Sequence, residues 1–184
     1  MRYRKIRAIS FLGNRERNLA MRCLYGQTIL NVLKDGYTVI NIDQTWLSQA
    51  DFRYFKWCAK GESNSLPVKG MSPRISMIAA ISTTGKLYVS LTQVNTDSDM
   101  IMLFIGYLVR TLVREDPDYR KKTVFLLDGA AYHKSRETRS YFDHLGLKLM
   151  ISAAYSYQAA SCELFFALFK QTNINIDELP TGKT

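Results

Sequence analysis

Thr123-Val124-Phe125-Leu126-Leu127-Asp128 decides how the rest of the chain is read. Its apolar residues do not alternate with polar ones, which is the pattern of a central strand covered on both faces. The run stops on a carboxylate. A second run, Tyr37-Thr-Val-Ile-Asn-Ile-Asp43, ends in the same way. An acid at the carboxyl end of a buried strand lies at a sheet edge, where α/β folds place their ligands. A third acid, Glu163, falls inside the helix-like segment Ser161-Cys-Glu-Leu-Phe-Phe-Ala-Leu-Phe-Lys170, with 34 residues between it and Asp128.

Working outward from these runs, residues 1–13 read as an irregular basic arm. Between Glu16 and Leu33 the apolar positions Leu19, Cys23, Leu24, Ile29, Leu30 and Leu33 share a helical stripe, interrupted by Gly26 and ended by Asp35-Gly36. A strand is predicted at 37–43 and a short one at 54–60, followed by a Gly/Ser/Pro-rich loop from Gly61 to Pro73. Ile75–Ser82 and Leu87–Thr92 flank a turn at Thr83–Gly85 and predict a hairpin. Asp97 or Ser98 caps a helix running to about Arg114, with Ile101, Phe104, Ile105, Leu108 and Leu112 on its apolar face. A helix at 135–145, a strand at 149–152 and a closing helix from Ser161 complete the order. An antiparallel opening followed by strand–helix alternation predicts a mixed sheet with helices on its faces. This element order resembles the ribonuclease H-like fold, antiparallel in its first strands and parallel in its last.

Composition narrows the partner. The 184 residues make one domain large enough to bury a core, with 47% apolar and 22% charged residues. No stretch approaches the ~20 apolar residues of a membrane helix, and the basic amino terminus lacks the apolar region of a secretory signal. Cys23, Cys58 and Cys162 have neither zinc nor disulfide spacing, so an intracellular, reducing compartment is expected, the nucleus in a eukaryote. A net charge of +9 predicts a polyanionic partner. Residues 1–22 hold Arg2, Arg4, Lys5, Arg7, Arg15, Arg17 and Arg22 against Glu16 alone. A solvated tail and a nucleic-acid contact both account for that run.

Each acid taken singly has an ordinary structural reading. Asp43 would cap a turn, Asp128-Gly129 is a turn pair, and Glu163 would sit in a helix's first turn, where the dipole favours a carboxylate. Taken together they predict more. Three converging carboxylates repel one another and tolerate full ionisation only beside cations. Oxygen ligands select Mg²⁺ or Mn²⁺. Two such ions ~3.5–4 Å apart clamp an in-line displacement at phosphorus without a nucleophilic side chain. A nucleotide-hydrolysing reading of Leu127-Asp128 fails, because no phosphate-binding G-x-x-x-x-G-K-[ST] loop accompanies it.

At these residues the chain resembles the mariner-like DDE transposases. Asn41-Ile42-Asp43-Gln44-Thr45 is similar to their first motif, usually Asp-Glu-Thr or Asp-Glu-Ser. Asp128-Gly-Ala-Ala-Tyr-His133-Lys-Ser135 is similar to their second, and the interval to Glu163 and the following Phe165-Phe166 to their third. Trp57 with Lys60-Gly61 fits a segment between the first strands, and the resemblance spans residues 15–172. It implies that Asp43, Asp128 and Glu163 are the catalytic metal ligands for two Mg²⁺ or Mn²⁺ ions. The implied reaction is nicking of transposon ends and strand transfer to target DNA. It further implies a basic linker arm and helix over 1–36 and a catalytic domain over 37–184. Residues 1–36 are too short for the usual helix-turn-helix region, so the chain is expected either to be a truncated or split transposase or to rely on another subunit for sequence recognition, with a homodimer or a separate DNA-recognition subunit as the partner. Two departures stand out: Tyr155–Cys162 lacks the family's prolines and asparagine before the glutamate, and Gly129 follows the second aspartate.

Arg2, Arg4, Lys5, Arg7, Lys60, Arg74, His133 and Lys134 are the candidate DNA-contacting residues, with His133 also a candidate for proton transfer. Trp46 and Trp57 are read either as base-stacking platforms or as core. Two other readings of the whole remain open: another ribonuclease H-like nuclease, and a domesticated DNA-binding protein of weak or no activity.

Overall fold

The computed structural model describes residues 11–47, 59–61, 75–156 and 160–172. A 3-10 turn (Phe11–Asn14) leads into α1 (Glu16–Lys34). The chain continues through β1 (Thr38–Leu47), β2 (Ile75–Ser82), β3 (Leu87–Thr92), α2 (Ser98–Glu115), the short α3 (Tyr119–Lys122), β4 (Thr123–Leu127), α4 (Arg136–His144), β5 (Lys148–Ile151) and α5 (Ser161–Gln171). The five strands form one sheet in the order β3-β2-β1-β4-β5. β1 pairs antiparallel with β2, and β2 with β3, whereas β4 runs parallel to β1 and β5 parallel to β4. This is the expected ribonuclease H-like arrangement.

Strand parity sorts the side chains into two layers, because successive residues point to opposite faces. Ile40, Ile42, Phe125 and Leu127 face α2 and α4, where they pack with Ile101, Ile105, Leu108 and Phe142. Val39, Leu126, Met77 and Ala79 face the other way, under α1 and α5. β4 is buried along its whole length, as an unbroken apolar run requires. Asp97 caps α2 by accepting the Met100 N–H at 3.0 Å, and Ser135 caps α4 by accepting that of Thr138 at 3.1 Å. None of the described helices is long and apolar enough to cross a membrane.

Two expectations are corrected. β1 does not end at Asp43 but runs to Leu47, because β2 continues to pair with it as far as Leu47↔Ile75. In α1 the face toward the sheet is Tyr25, Ile29 and Val32, packed on Val39, Leu126 and Met150. Leu19, Cys23, Leu24, Leu30 and Leu33 of the expected stripe are exposed instead. Gly26 leaves α1 unbroken over 19 residues. The short strand expected at 54–60 falls largely outside the described residues, and its end at Lys60-Gly61 is a turn.

Candidate active site

The two aspartates come together through register. β1 and β4 pair in parallel up to Asn41↔Leu126. Carried two residues further, that register sets Asp43 beside Asp128, just where β4 has ended and β1 has lost its neighbour on that side. By parity both carboxylates face the layer of α1 and α5. Glu163 reaches the same place from the first turn of α5. Asp43, Asp128 and Glu163 line one cavity of about 290 Å³, with Asn41, Gly129, Lys134, Tyr155 and Ser156 also in its wall.

Asn41 holds this geometry together. Its buried Oδ1 accepts the Cys162 N–H at 2.9 Å and the Ser161 hydroxyl at 3.3 Å. Its Nδ2 donates to the Leu126 carbonyl at 3.3 Å. One side chain therefore caps the amino terminus of α5 from β1 and also ties β1 to β4. Ser161 is the first residue of α5, and Ala160 at the N-cap position has no side-chain capping bond. Cys162 adds a second fastening, its thiol donating to the Asn41 carbonyl at 3.1 Å. Burial pushes that thiol up to about 12, so it stays a packed, protonated group.

The acids differ in their environments. Asp43 is 9% exposed, and burial is the main cause that pushes its carboxyl up to about 6. The Gln44 N–H, donated to Asp43 Oδ1 at 2.7 Å, opposes the rise, and the nearby charges of Asp128 and Glu163 add to it. Asp128 goes the other way. A hydrogen bond between its Oδ1 and His133 Nδ1 holds its carboxyl below the usual carboxylate range, helped by the Ala130 N–H at 3.0 Å and the charge of Lys134. Both donors land on Oδ1, so Oδ2 takes part in neither bond. Glu163 is exposed on α5.

His133 is fully enclosed, so it is corrected from a DNA-contacting candidate to a support for Asp128. Its Nε2 is enclosed and has no hydrogen-bond partner among the described residues. The Tyr132 ring stands edge-on to His133 with centroids 4.4 Å apart, and its hydroxyl accepts from the Gln44 amide. Gln44 and Tyr132 thus link the backbone at Asp43 to the support of Asp128. Lys134 is exposed on the cavity wall, and a Cβ at position 129 would come within 3.1 Å of its Nζ. Gly129 therefore leaves the room that the Lys134 ammonium occupies. Tyr155 sits at φ 61°, a left-handed conformation that costs a non-glycine residue on the order of 1 kcal/mol. Its ring lies 3.3 Å from where a Cβ on Gly13 would be.

Lys60 is exposed on its turn and does not line the cavity, and Trp46 is partly exposed. Arg2, Arg4, Lys5, Arg7, Arg74 and Trp57 lie outside the described residues. Asn41, Gln44 and Tyr132 were not singled out by sequence reading, since an amide in a strand and a tyrosine in a turn carry no signal of long-range contact.

A site of three carboxylates with a lysine on its wall fits hard divalent cations and an anionic substrate. Among the described residues, no three acidic, histidine or cysteine side chains are gathered closely enough to hold one ion jointly. As placed, an ion would meet no more than two of the acids at once.

The family model for DDE superfamily endonucleases matches residues 38–181, a span that holds all three acids. No curated protein matches the chain in sequence. Among solved structures, the chain is similar to the catalytic domain of the Mos1 mariner transposase, with a TM-score of 0.63 and 20% identity over 84% of this chain and 71% of that one. It is also similar to Mos1 in a paired-end complex with Mn (TM-score 0.70, 20% identity, 91% of this chain, 53% of that one). A Mos1 strand transfer complex matches at a TM-score of 0.68 and 19% identity, covering 91% and 52%. The chain spans about half the length of the transposase chains in those complexes. At this identity the likeness speaks for the fold, while the family match covers most of the sequence: the chain belongs to the DDE superfamily of endonucleases.

Proposed function

We propose that the chain is the catalytic part of a DDE-type transposase, a divalent-metal-dependent enzyme that nicks DNA at transposon ends and joins the freed 3′-hydroxyl to target DNA. The observation that carries this reading is the convergence of Asp43 from β1, Asp128 from the end of β4 and Glu163 from α5 on one cavity, within the family's span. Two Mg²⁺ or Mn²⁺ ions, when bound, would supply a lowered pKa for the attacking water or hydroxyl and charge neutralisation at the leaving oxygen. Asp43 and Asp128 would hold them from the rigid sheet, and Glu163 would close the set from α5. Lys134 sits where it can pair with a non-bridging phosphate oxygen of the scissile strand.

The partners on this reading are transposon-end and target DNA, with a second copy or a separate subunit recognising the ends. Such a substrate implies an intracellular setting, and a nuclear one in a eukaryote. One observation favours a second reading, a domesticated DNA-binding protein of weak activity: the three acids are not gathered onto a single ion.

End-labelled duplex incubated with Mg²⁺ or Mn²⁺ separates these readings. The wild type is expected to nick it, and Asp43→Ala to lower the rate by about a hundred-fold or more. That is the upper end of the loss seen when a mere outer-shell partner of a metal site is removed. Nicking of DNA absent with both metals would overturn the transposase reading. Faster cutting of an RNA–DNA hybrid than of DNA would mark a ribonuclease.

A further inference from the structure

A second cavity, about 700 Å³, lies between α1 and the segment that follows β5. Among the described residues, Arg15, Arg17 and Lys134 stand in its wall and no acidic residue does. Met21 and Leu24 of α1, half-exposed, and Met150 of β5 make its apolar side. None of the three cations is in an ion pair among the described residues. The cavity shares Lys134, Ser152, Ala153 and Ala154 with the acidic one. The two cavities therefore adjoin across Lys134 and Ser152–Ala154, one walled by the cations at the start of α1 and the other by Asp43, Asp128 and Glu163.

We propose that this groove seats one strand of DNA and leads it into the acidic cavity, with Arg15, Arg17 and Lys134 on its phosphates. The inference rests on the nuclease reading of the acids and adds the path by which a strand reaches them. A positive groove with an apolar wall is the chemistry that tracks a single strand: cations follow the backbone, and sugars and bases pack on the apolar side. A cavity of this volume is of the scale of a short stretch of one strand. The change of sign from one cavity to the next also orders the substrate. Phosphates settle at the basic end, and a phosphodiester enters the acidic end only as far as cations there neutralise it. Arg15, just ahead of α1, and Arg17 in its first turn are placed by the packing of Tyr25, Ile29 and Val32 on the sheet.

The test is fluorescence anisotropy in EDTA, with a short labelled single strand and a blunt duplex of the same sequence. Arg15→Ala/Arg17→Ala is set beside Arg110→Ala/Arg114→Ala, which removes equal charge from exposed positions on α2 across the sheet. Both doubles change solvent-facing side chains and should fold normally. The groove double is expected to bind the single strand roughly ten-fold more weakly, and its log–log salt slope to fall by about 1.5, the share of two phosphate contacts. The α2 double should stay within about two-fold of wild type, and Arg15→Lys/Arg17→Lys should restore most of the affinity. Equal losses in the two doubles, or a loss confined to the blunt duplex, would overturn the groove. If the wild type nicks DNA and the groove double behaves like the α2 double, the groove alone falls. If the wild type nicks nothing while this binding pattern holds, the groove stands and the nuclease reading falls.

Discussion

Asp43 shows at the scale of one residue how a site of this kind conflicts with stability. Its carboxyl rises from 3.8 to about 6 on folding, chiefly through burial. A folded-state value above the unfolded one means that the folded protein binds the proton more tightly. Asp43 therefore adds stability below about pH 4 and loses that contribution as pH rises through about 6. Above pH 6 the ionised side chain destabilises the metal-free fold by roughly 2–3 kcal/mol, the equivalent of a shift of about two units. Asp128, held low by His133, has the opposite sign, so a comparison that changes only Asp43 isolates the effect. Metal-free Asp43→Asn should be more stable than the wild type at pH 7.5 by up to that amount, and equal to it near pH 4. Urea denaturation at the two pH values measures the difference. A gain that is the same at both would assign the effect to packing and not to charge.

At the scale of elements, the parts carried by periodicity were legible and the parts carried by partners were not. The unbroken apolar run of β4, the hairpin of β2 and β3 and the core face of α2 follow from spacing alone, and the structure has each in place. α1 misleads because its leucines outnumber Tyr25, Ile29 and Val32. A stripe of leucines marks an apolar face but not which face meets the sheet. The true length of β1 was hidden because β2, and not the Gln44-Thr45-Trp46-Leu47 sequence, keeps it extended. Of the site, the three acids could be read from motif and spacing, whereas their scaffold could not. Asn41 caps α5 across 121 positions of sequence, and no local pattern records that. Asn41→Ala leaves the Cys162 N–H and the Ser161 hydroxyl without their acceptor in a buried place, a loss of about 2 kcal/mol, or roughly 4–8 °C in melting temperature. Leu168→Ala, on the exposed side of α5, should change it far less. Equal shifts for the two variants in a thermal melt would mean that Asn41 does not fasten the helix.

For the molecule as a whole, the sheet order, the net charge of +9 and the placement of the acids make one arrangement. The parallel pair β1–β4 fixes two carboxylates on one face, and the helix that follows β5 is pinned over them by a side chain from β1. The chain as a whole carries an excess of positive charge, which draws a polyanion, while the acidic cavity itself repels one unless cations are present. Glu163 stands on a helix whose first turn is fastened to β1 through Asn41, and the segment before it holds Tyr155 in a left-handed conformation. Isothermal titration of Mn²⁺ into the protein at pH 7.5 tests the central claim, that the fold gathers Asp43, Asp128 and Glu163 into a cation site. The wild type should take up two ions, with Asp43→Asn and Asp128→Asn losing both and Glu163→Gln binding more weakly. A wild type that takes up no Mn²⁺, or an Asp43→Asn protein that takes up as much as the wild type, would contradict it.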